Sequence, residues 1–220
     1  RHDCKEKVRS ATQYHSESVK KMRKNLYVIA SISMSLFLAG CWLKSVHPFY
    51  AEKDLRFEEA LIGEWIENSD KNEHAKEDED SWHFVRRGQN AYQLEIGSGD
   101  DNMIFAAHLF EMGEKKYLDL LTDNREISSI PAHQLFIVDQ LEPAPVIRMA
   151  DPGWFKDFLA AKPLALAHFR SHDPSRSDEA DAYEVVLTAD TSALQEFVRQ
   201  HVSDEGFWTD PIRLKASNLK

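Results

Sequence analysis

Two kinds of side chain in this sequence invite a chemical reading: ten histidines and two cysteines. Three histidines follow alanine, at His108, His133 and His168, and His172 with Asp173 comes soon after the last. Four residues apart, His168 and His172 would share a helix face and could hold a divalent metal with Asp173. Pro174 follows at once and the stretch reads as a loop, so no metal site is expected. His108 lies in MIFAAHLFEM, a strand apolar on both faces, with Met103, Phe105, Ala107 and Leu109 opposing Ile104, Ala106, Phe110 and Met112. Such a strand is expected to be covered on both sides, one of them by a helix, and a histidine inside it to be a hydrogen-bonded core group. The chain has no Gly-x-Ser-x-Gly, no His-Glu-x-x-His, no phosphate-cradling glycine loop and no metal-binding cysteine pair. No catalytic residue, cofactor or metal is assigned.

Cys41 is the more telling thiol. It ends the one sustained apolar run, LYVIASISMSLFLAG, which carries no charge and follows Lys20, Lys21, Met22, Arg23 and Lys24. A spanning helix needs about 20 apolar residues, and Ser31, Ser33 and Ser35 interrupt this one. A basic cluster, a short apolar run and small residues at its end predict a secretion signal.

Leu38, Ala39, Gly40 and Cys41 resemble the lipobox of bacterial lipoproteins. That resemblance implies that the Cys41 thiol receives a diacylglycerol, that a peptidase recognises Leu38, Ala39 and Gly40, and that the chain is cut before Cys41. Several acyl chains anchor stably where one is marginal, at about 0.8 kcal/mol per buried CH₂. The expected organisation is an upstream or extended segment over 1–21 and a signal over 22–40. A lipidated cysteine with its tether over 41–57 and one β-rich domain over 58–220 complete it. Cys4 falls in the upstream segment, so the mature chain would carry no free thiol and no disulfide. Trp42 stands where an aspartate commonly marks inner-membrane retention, which points to an outer-membrane destination in the bacterial envelope.

Charge supports that division. Residues 1–40 hold eight Lys/Arg and three acids, leaving 19 basic and 34 acidic side chains in the other 180 residues. An acidic body of this kind repels phosphate backbones, so nucleic acid is an unsuitable partner.

The elements beyond the head are mostly strands. Trp82 and Phe84 alternate with His83, and Tyr92, Leu94 and Ile96 alternate with Gln93 and Glu95, the period of half-buried strands. Residues 87–90 and 113–114 read as hairpin turns, and 97–102 as a further turn cluster. More strands are expected at 61–67, 115–121, 133–141, 145–149, 183–188 and 211–214. A first helix opens at Asp151 as N-cap with Pro152 in its first turn, and a second begins at a capping box over Ser192–Gln195. About nine strands and two helices follow, a mainly β chain with two helices (α+β). Such a meander must close or cover its edges, which predicts a lipocalin-like barrel or strongly curved sheet.

Gly63, Glu64 and Trp65 resemble the Gly-x-Trp of lipocalins, whose tryptophan plugs the closed end of the barrel. Thr122, Asp123 and Asn124 faintly resemble that family's Thr-Asp-Tyr. Residues 54–57 (DLRF), 61–65 (LIGEW) and 107–110 (AHLF) together resemble an uncharacterised family of bacterial lipoproteins, a resemblance that implies no particular activity. The expectation is a membrane-anchored barrel holding a small apolar or amphipathic ligand among Trp65, Trp82, Phe84, Tyr92 and Phe105. The alternative is an envelope scaffold or accessory subunit that binds another protein.

Overall fold

Alternation in the sequence becomes strand pairing that runs once around and meets itself. The structure, a computed structural model, describes residues 42–68, 80–97, 102–122, 132–172 and 183–217. Expectations placed on 1–41, including the lipobox residues Leu38, Ala39, Gly40 and Cys41, lie outside the described residues, as do most of the polar loops. From Trp42 onward the chain is one compact unit.

Among the described residues twelve strands are formed. Eight of them close a barrel: β3 (Gly63–Glu67), β4 (Ser81–Arg86), β5 (Tyr92–Gly97), β6 (Met103–Met112), β7 (Lys115–Thr122), β8 (His133–Gln140), β9 (Val146–Met149) and β12 (Ile212–Ala216). Neighbours from β3 to β9 pair antiparallel in chain order, and β12 lies between β9 and β3 to complete the ring. The mainly β fold with two helices, closing into a lipocalin-like barrel, is therefore the observed one. Gly113, with φ +64°, opens the two-residue turn between β6 and β7, where primed hairpin turns require a positive φ.

Alternate residues divide two cores. Phe105, Ala107, Leu109, Leu118, Leu120, Phe136 and Val138 face the barrel interior with Trp65, Trp82, Phe84, Tyr92 and Leu94. Their neighbours Phe110, Met112, Tyr117, Leu135 and Ile137 face outward into a second core. The outer layer is α1 (Pro152–Ala161), β10 (His168–His172), β11 (Tyr183–Leu187) and α2 (Thr191–His201), inserted between the last two barrel strands in chain order. Burial on both faces explains why β6 lacks a polar side.

Asp151 caps α1 as expected, accepting from the Trp154 N–H at 2.7 Å. The cap of α2 is Asp190, not the predicted Ser192: its carboxylate accepts from the Ala193 N–H at 2.9 Å. Gln195 is instead buried, and its amide donates to the Phe49 carbonyl and to Asp54. His168 and His172 lie on strand β10, not in a loop.

The segment read as a tether, residues 42–57, belongs to the folded body. Within it β1 (Lys44–Ser45) pairs parallel with β11 and antiparallel with β8, and β2 (Leu55–Arg56) pairs with β6. Leu43 and Phe49 are buried in the outer core. The strap is tied by hydrogen bonds from the Phe49 N–H to Asp119 at 2.9 Å and from the Thr191 hydroxyl to the Pro48 carbonyl at 2.8 Å. It has no period because successive residues face different neighbours, so alternation could not reveal it.

Candidate functional site

The antiparallel registers give the barrel two unlike ends. One end carries Gly63, Arg86, Tyr92 and the Gly113 turn. The other carries Glu67, Ser81, Gly97, Met103, Thr122 and His133, where β3, β5 and β7 run out into residues 69–79, 98–101 and 123–131.

The first end is sealed. The 57–62 segment crosses it, with Phe57 stacked on Tyr92 at 4.8 Å and Leu61 fully buried. The Tyr92 hydroxyl donates to the Glu58 carbonyl at 3.1 Å and accepts from the Glu58 N–H at 2.7 Å. The Trp65 indole donates to the Leu61 carbonyl at 2.9 Å, and the Arg86 guanidinium covers the outer face of Phe57 at 4.2 Å. Burial pushes the Tyr92 hydroxyl up to about 12, which keeps it a neutral donor. Outside, Lys116 bridges Glu58 and Glu111, and Glu111 also takes Arg56, which staples the crossing segment to β6 and β7.

At the second end, among the described residues, one side chain caps the interior. Trp42 reaches over the rim and stacks on Phe105 at 5.5 Å, with its edge against Phe136 at 5.9 Å. It packs against the barrel core, whereas Leu43 belongs to the outer core, so the chain crosses the rim between these two residues. Among the described residues Trp42 is held by ring contacts, and its side chain stays half-buried. Each such pair contributes about 0.5–1.5 kcal/mol beyond its buried area.

All five predicted ligand residues do face the barrel interior together. Trp65, Trp82, Phe84, Tyr92 and Phe105 are 9% exposed or less. They also pack on one another, Phe84 against Tyr92 at 6.1 Å and Trp82 against Phe84 at 6.4 Å. The Trp82 indole N–H donates to Glu67 at 3.1 Å, and burial raises the Glu67 carboxyl despite that hydrogen bond. Tyr92 and the Trp65 indole are thus bonded into the sealed end, and Phe84 packs between Tyr92 and Trp82. Trp82, paired across from Trp65, turns its indole N–H the other way, to Glu67, and Phe105 meets Trp42.

Sequence reasoning missed two residues of that capped end. Trp42 was assigned to the tether. Gln134 shares the inward face of β8 with Phe136 and Val138 and pairs across with Leu120, itself interior. It is 7% exposed, and its Oε1 is buried without a hydrogen-bond partner. Leaving such an atom unpaired costs about 1–3 kcal/mol. A glutamine flanked by histidine and leucine in HQLFIV gave no sign of this beyond its place in the alternation.

A second polar cluster lies on the outer wall of the barrel. Asp119 is fully buried on β7; one oxygen takes His133 Nδ1 at 2.7 Å and the other the Phe49 N–H. A carboxylate only accepts, so His133 carries its proton on Nδ1. His108 is the cross-strand partner of Asp119, and the Tyr50 ring stacks on it at 4.7 Å. Burial lowers the His108 pKa, and its Nδ1 lacks a partner, unlike the hydrogen-bonded histidine expected there. Burial, aided by the Asp119 charge, pushes the Tyr50 hydroxyl up to about 12. Ser45 faces His133 across β1 and β8, giving the residue types of a nucleophilic relay. Its hydroxyl, however, is fully buried and donates to the His47 carbonyl at 2.8 Å. The cluster holds the strap against the wall. Among the described residues no group of three or more metal-ligating side chains comes together.

Comparison with protein-family models, with curated proteins and with solved structures gave no match for this chain.

Proposed function

We propose that this chain is a membrane-anchored, extracytoplasmic lipoprotein whose barrel holds a small apolar or amphipathic ligand. The observation that carries the binding reading is the unlike closure of the two ends: one is hydrogen-bonded shut and the other is covered by Trp42. An eight-stranded barrel is just wide enough for its own side chains or one small ligand, so access at one end decides between those uses. The anchoring half rests on the sequence of residues 38–41. No helix among the described residues is long and apolar enough to cross a membrane; acylation of Cys41 is the proposed anchor.

Native mass spectrometry of residues 42–220 purified from a membrane-containing host tests the binding reading. Co-purified lipid or another small amphiphile is expected, and a clean apo mass under gentle conditions counts against it. For the anchor, Cys41→Ala should abolish palmitate incorporation and release the protein from the membrane fraction. Unchanged labelling would remove that reading.

One feature favours the scaffold alternative. Leu164, 98% exposed, lines a groove of about 580 Å³ that mixes Ala165, Ala167 and Ala193 with His47, Asp190 and Glu196, and Phe169, on β10, is 47% exposed. Exposed apolar side chains next to an edge strand suit a protein partner. Crosslinking from position 164 in intact cells tests it, and capture of a single defined envelope protein is the supporting result.

A further inference from the structure

The proposal just made leaves open how a ligand enters a filled barrel and what its polar part must be. We infer that Trp42 is a removable plug, and that its site takes an amphiphile with an apolar tail and a hydrogen-bond donor at its head. The inference rests on the ligand-binding reading and deepens it.

Three observations converge. First, Trp42 comes from outside the barrel wall, so the indole can leave without breaking a barrel pairing. Second, the chain is fixed immediately after it. Leu43 is 2% exposed, β1 is paired on both sides, and Pro48 and Phe49 are tied to Thr191, Gln195 and Asp119. The indole therefore swings on a short hinge while the strap stays in place. Third, the unpartnered Gln134 Oε1 lies on the interior face of β8, next inward-facing residue to Phe136, which the indole touches. A buried carbonyl oxygen with nothing to accept from lacks a donor, and aliphatic ligands do not supply one. A hydroxyl, amide N–H or ammonium at the ligand head supplies it. The tail then takes the place of the indole between Phe105 and Phe136, with the head towards the rim.

This geometry makes Trp42 a competitor of the ligand. Closure by the indole lowers the apparent affinity by the fraction of time the site stands open. Removing the ring raises that fraction.

The test uses residues 42–220, one compact unit, with dodecanol and dodecyl methyl ether as probes. Both have the tail, and only the alcohol has a donor. Calorimetric titration should show the alcohol binding about tenfold tighter than the ether, and Gln134→Leu should erase that preference, a difference of about 1.4 kcal/mol. Trp42→Ala should bind both probes about tenfold tighter, the stacking of the closed plug having been removed. In wild-type protein carrying fluorotryptophan, fluorine NMR should show the Trp42 resonance, assigned through Trp42→Phe, moving to an exposed position on saturation with dodecanol. Equal affinity for alcohol and ether overturns the role of Gln134. Saturable binding with a stationary Trp42 resonance overturns the plug and leaves the carrier reading standing. If neither wild type nor Trp42→Ala binds either probe, the carrier reading falls together with the inference.

Discussion

The two ends of this barrel are closed by aromatic rings of similar size and by quite different physics. At one end Tyr92 and Trp65 are locked by hydrogen bonds to backbone carbonyls, Phe57 is stacked on Tyr92 under Arg86, and ion pairs lie outside. At the other, Trp42 rests on Phe105 and Phe136 by surface contact. Rings that are hydrogen-bonded and fully buried resist removal because each lost contact leaves both a cavity and an orphaned polar group. A half-buried ring at a hinge gives up only its contact area. Closure and permanence are thus separable properties, and the molecule uses both.

The largest effect should come from the sealed end. Tyr92→Ala removes a ring that is 0% exposed and takes the acceptor from the Glu58 N–H, while the Glu58 carbonyl keeps the Leu61 N–H, so a loss of about 3–5 kcal/mol is expected in urea unfolding. A loss below about 1 kcal/mol would erase the contrast between the ends.

Asp119→Ala comes next, at about 3 kcal/mol, because His133 and the Phe49 N–H lose their acceptor together in a buried place. It should also loosen the strap, seen as faster amide exchange at Phe49 while the sealed end keeps its protection.

Acid should find His108. Burial lowers its pKa from the ordinary 6.5, with His133 and Arg87 acting the same way and Asp119 and Glu52 opposing. The unfolded chain then takes up a proton that the folded chain refuses, so this contribution is complete above 6.5 and is lost as pH falls through the lower folded pKa. The slope from one such group is at most about 1.4 kcal/mol per pH unit. His108→Gln should flatten the fall of stability below pH 6.5, and an unaltered slope would contradict that assignment.

At the capped end Trp42→Ala should cost only about 1–2 kcal/mol, since a half-buried ring with two ring contacts is all that goes. A cost equal to that of Tyr92→Ala would mean that both ends are permanent. The smallest effect belongs to Leu164→Ser, within about 0.5 kcal/mol of wild type, because that side chain is 98% exposed.

Legibility in the sequence followed the same divide. Elements built on one repeated relation, such as the alternation in YQLEI or the turn at Gly113, were readable because each residue repeats the job of the one two before it. The barrel followed from counting such elements and asking what covers their edges. The Asp151 cap was readable for the same local reason, whereas Asp190 was overlooked beside a plausible Ser192 two residues on. The strap was not readable: Trp42, Leu43, Phe49 and Tyr50 meet the barrel interior, the outer core and His108 in turn, so no period survives. Asp119 looked like the polar face of an ordinary strand in KKYLDLL. Its importance depends on Phe49 and His133, which arrive from 70 and 14 residues away. Gln134 was hidden by the opposite fault, since it fits the alternation and is unusual only in what it fails to touch.

The passage of the chain over the barrel rim between Trp42 and Leu43 has a mechanical consequence. A pull applied to the chain just ahead of Trp42 is borne first by the indole and only then by the paired backbone of β1. Those two stages have very different stiffness: two ring contacts yield before the ladders to β8 and β11 carry load. Tension on that side would draw the indole outward while the strap and barrel kept their shape, so the barrel mouth is the weakest link in series with whatever holds the chain there.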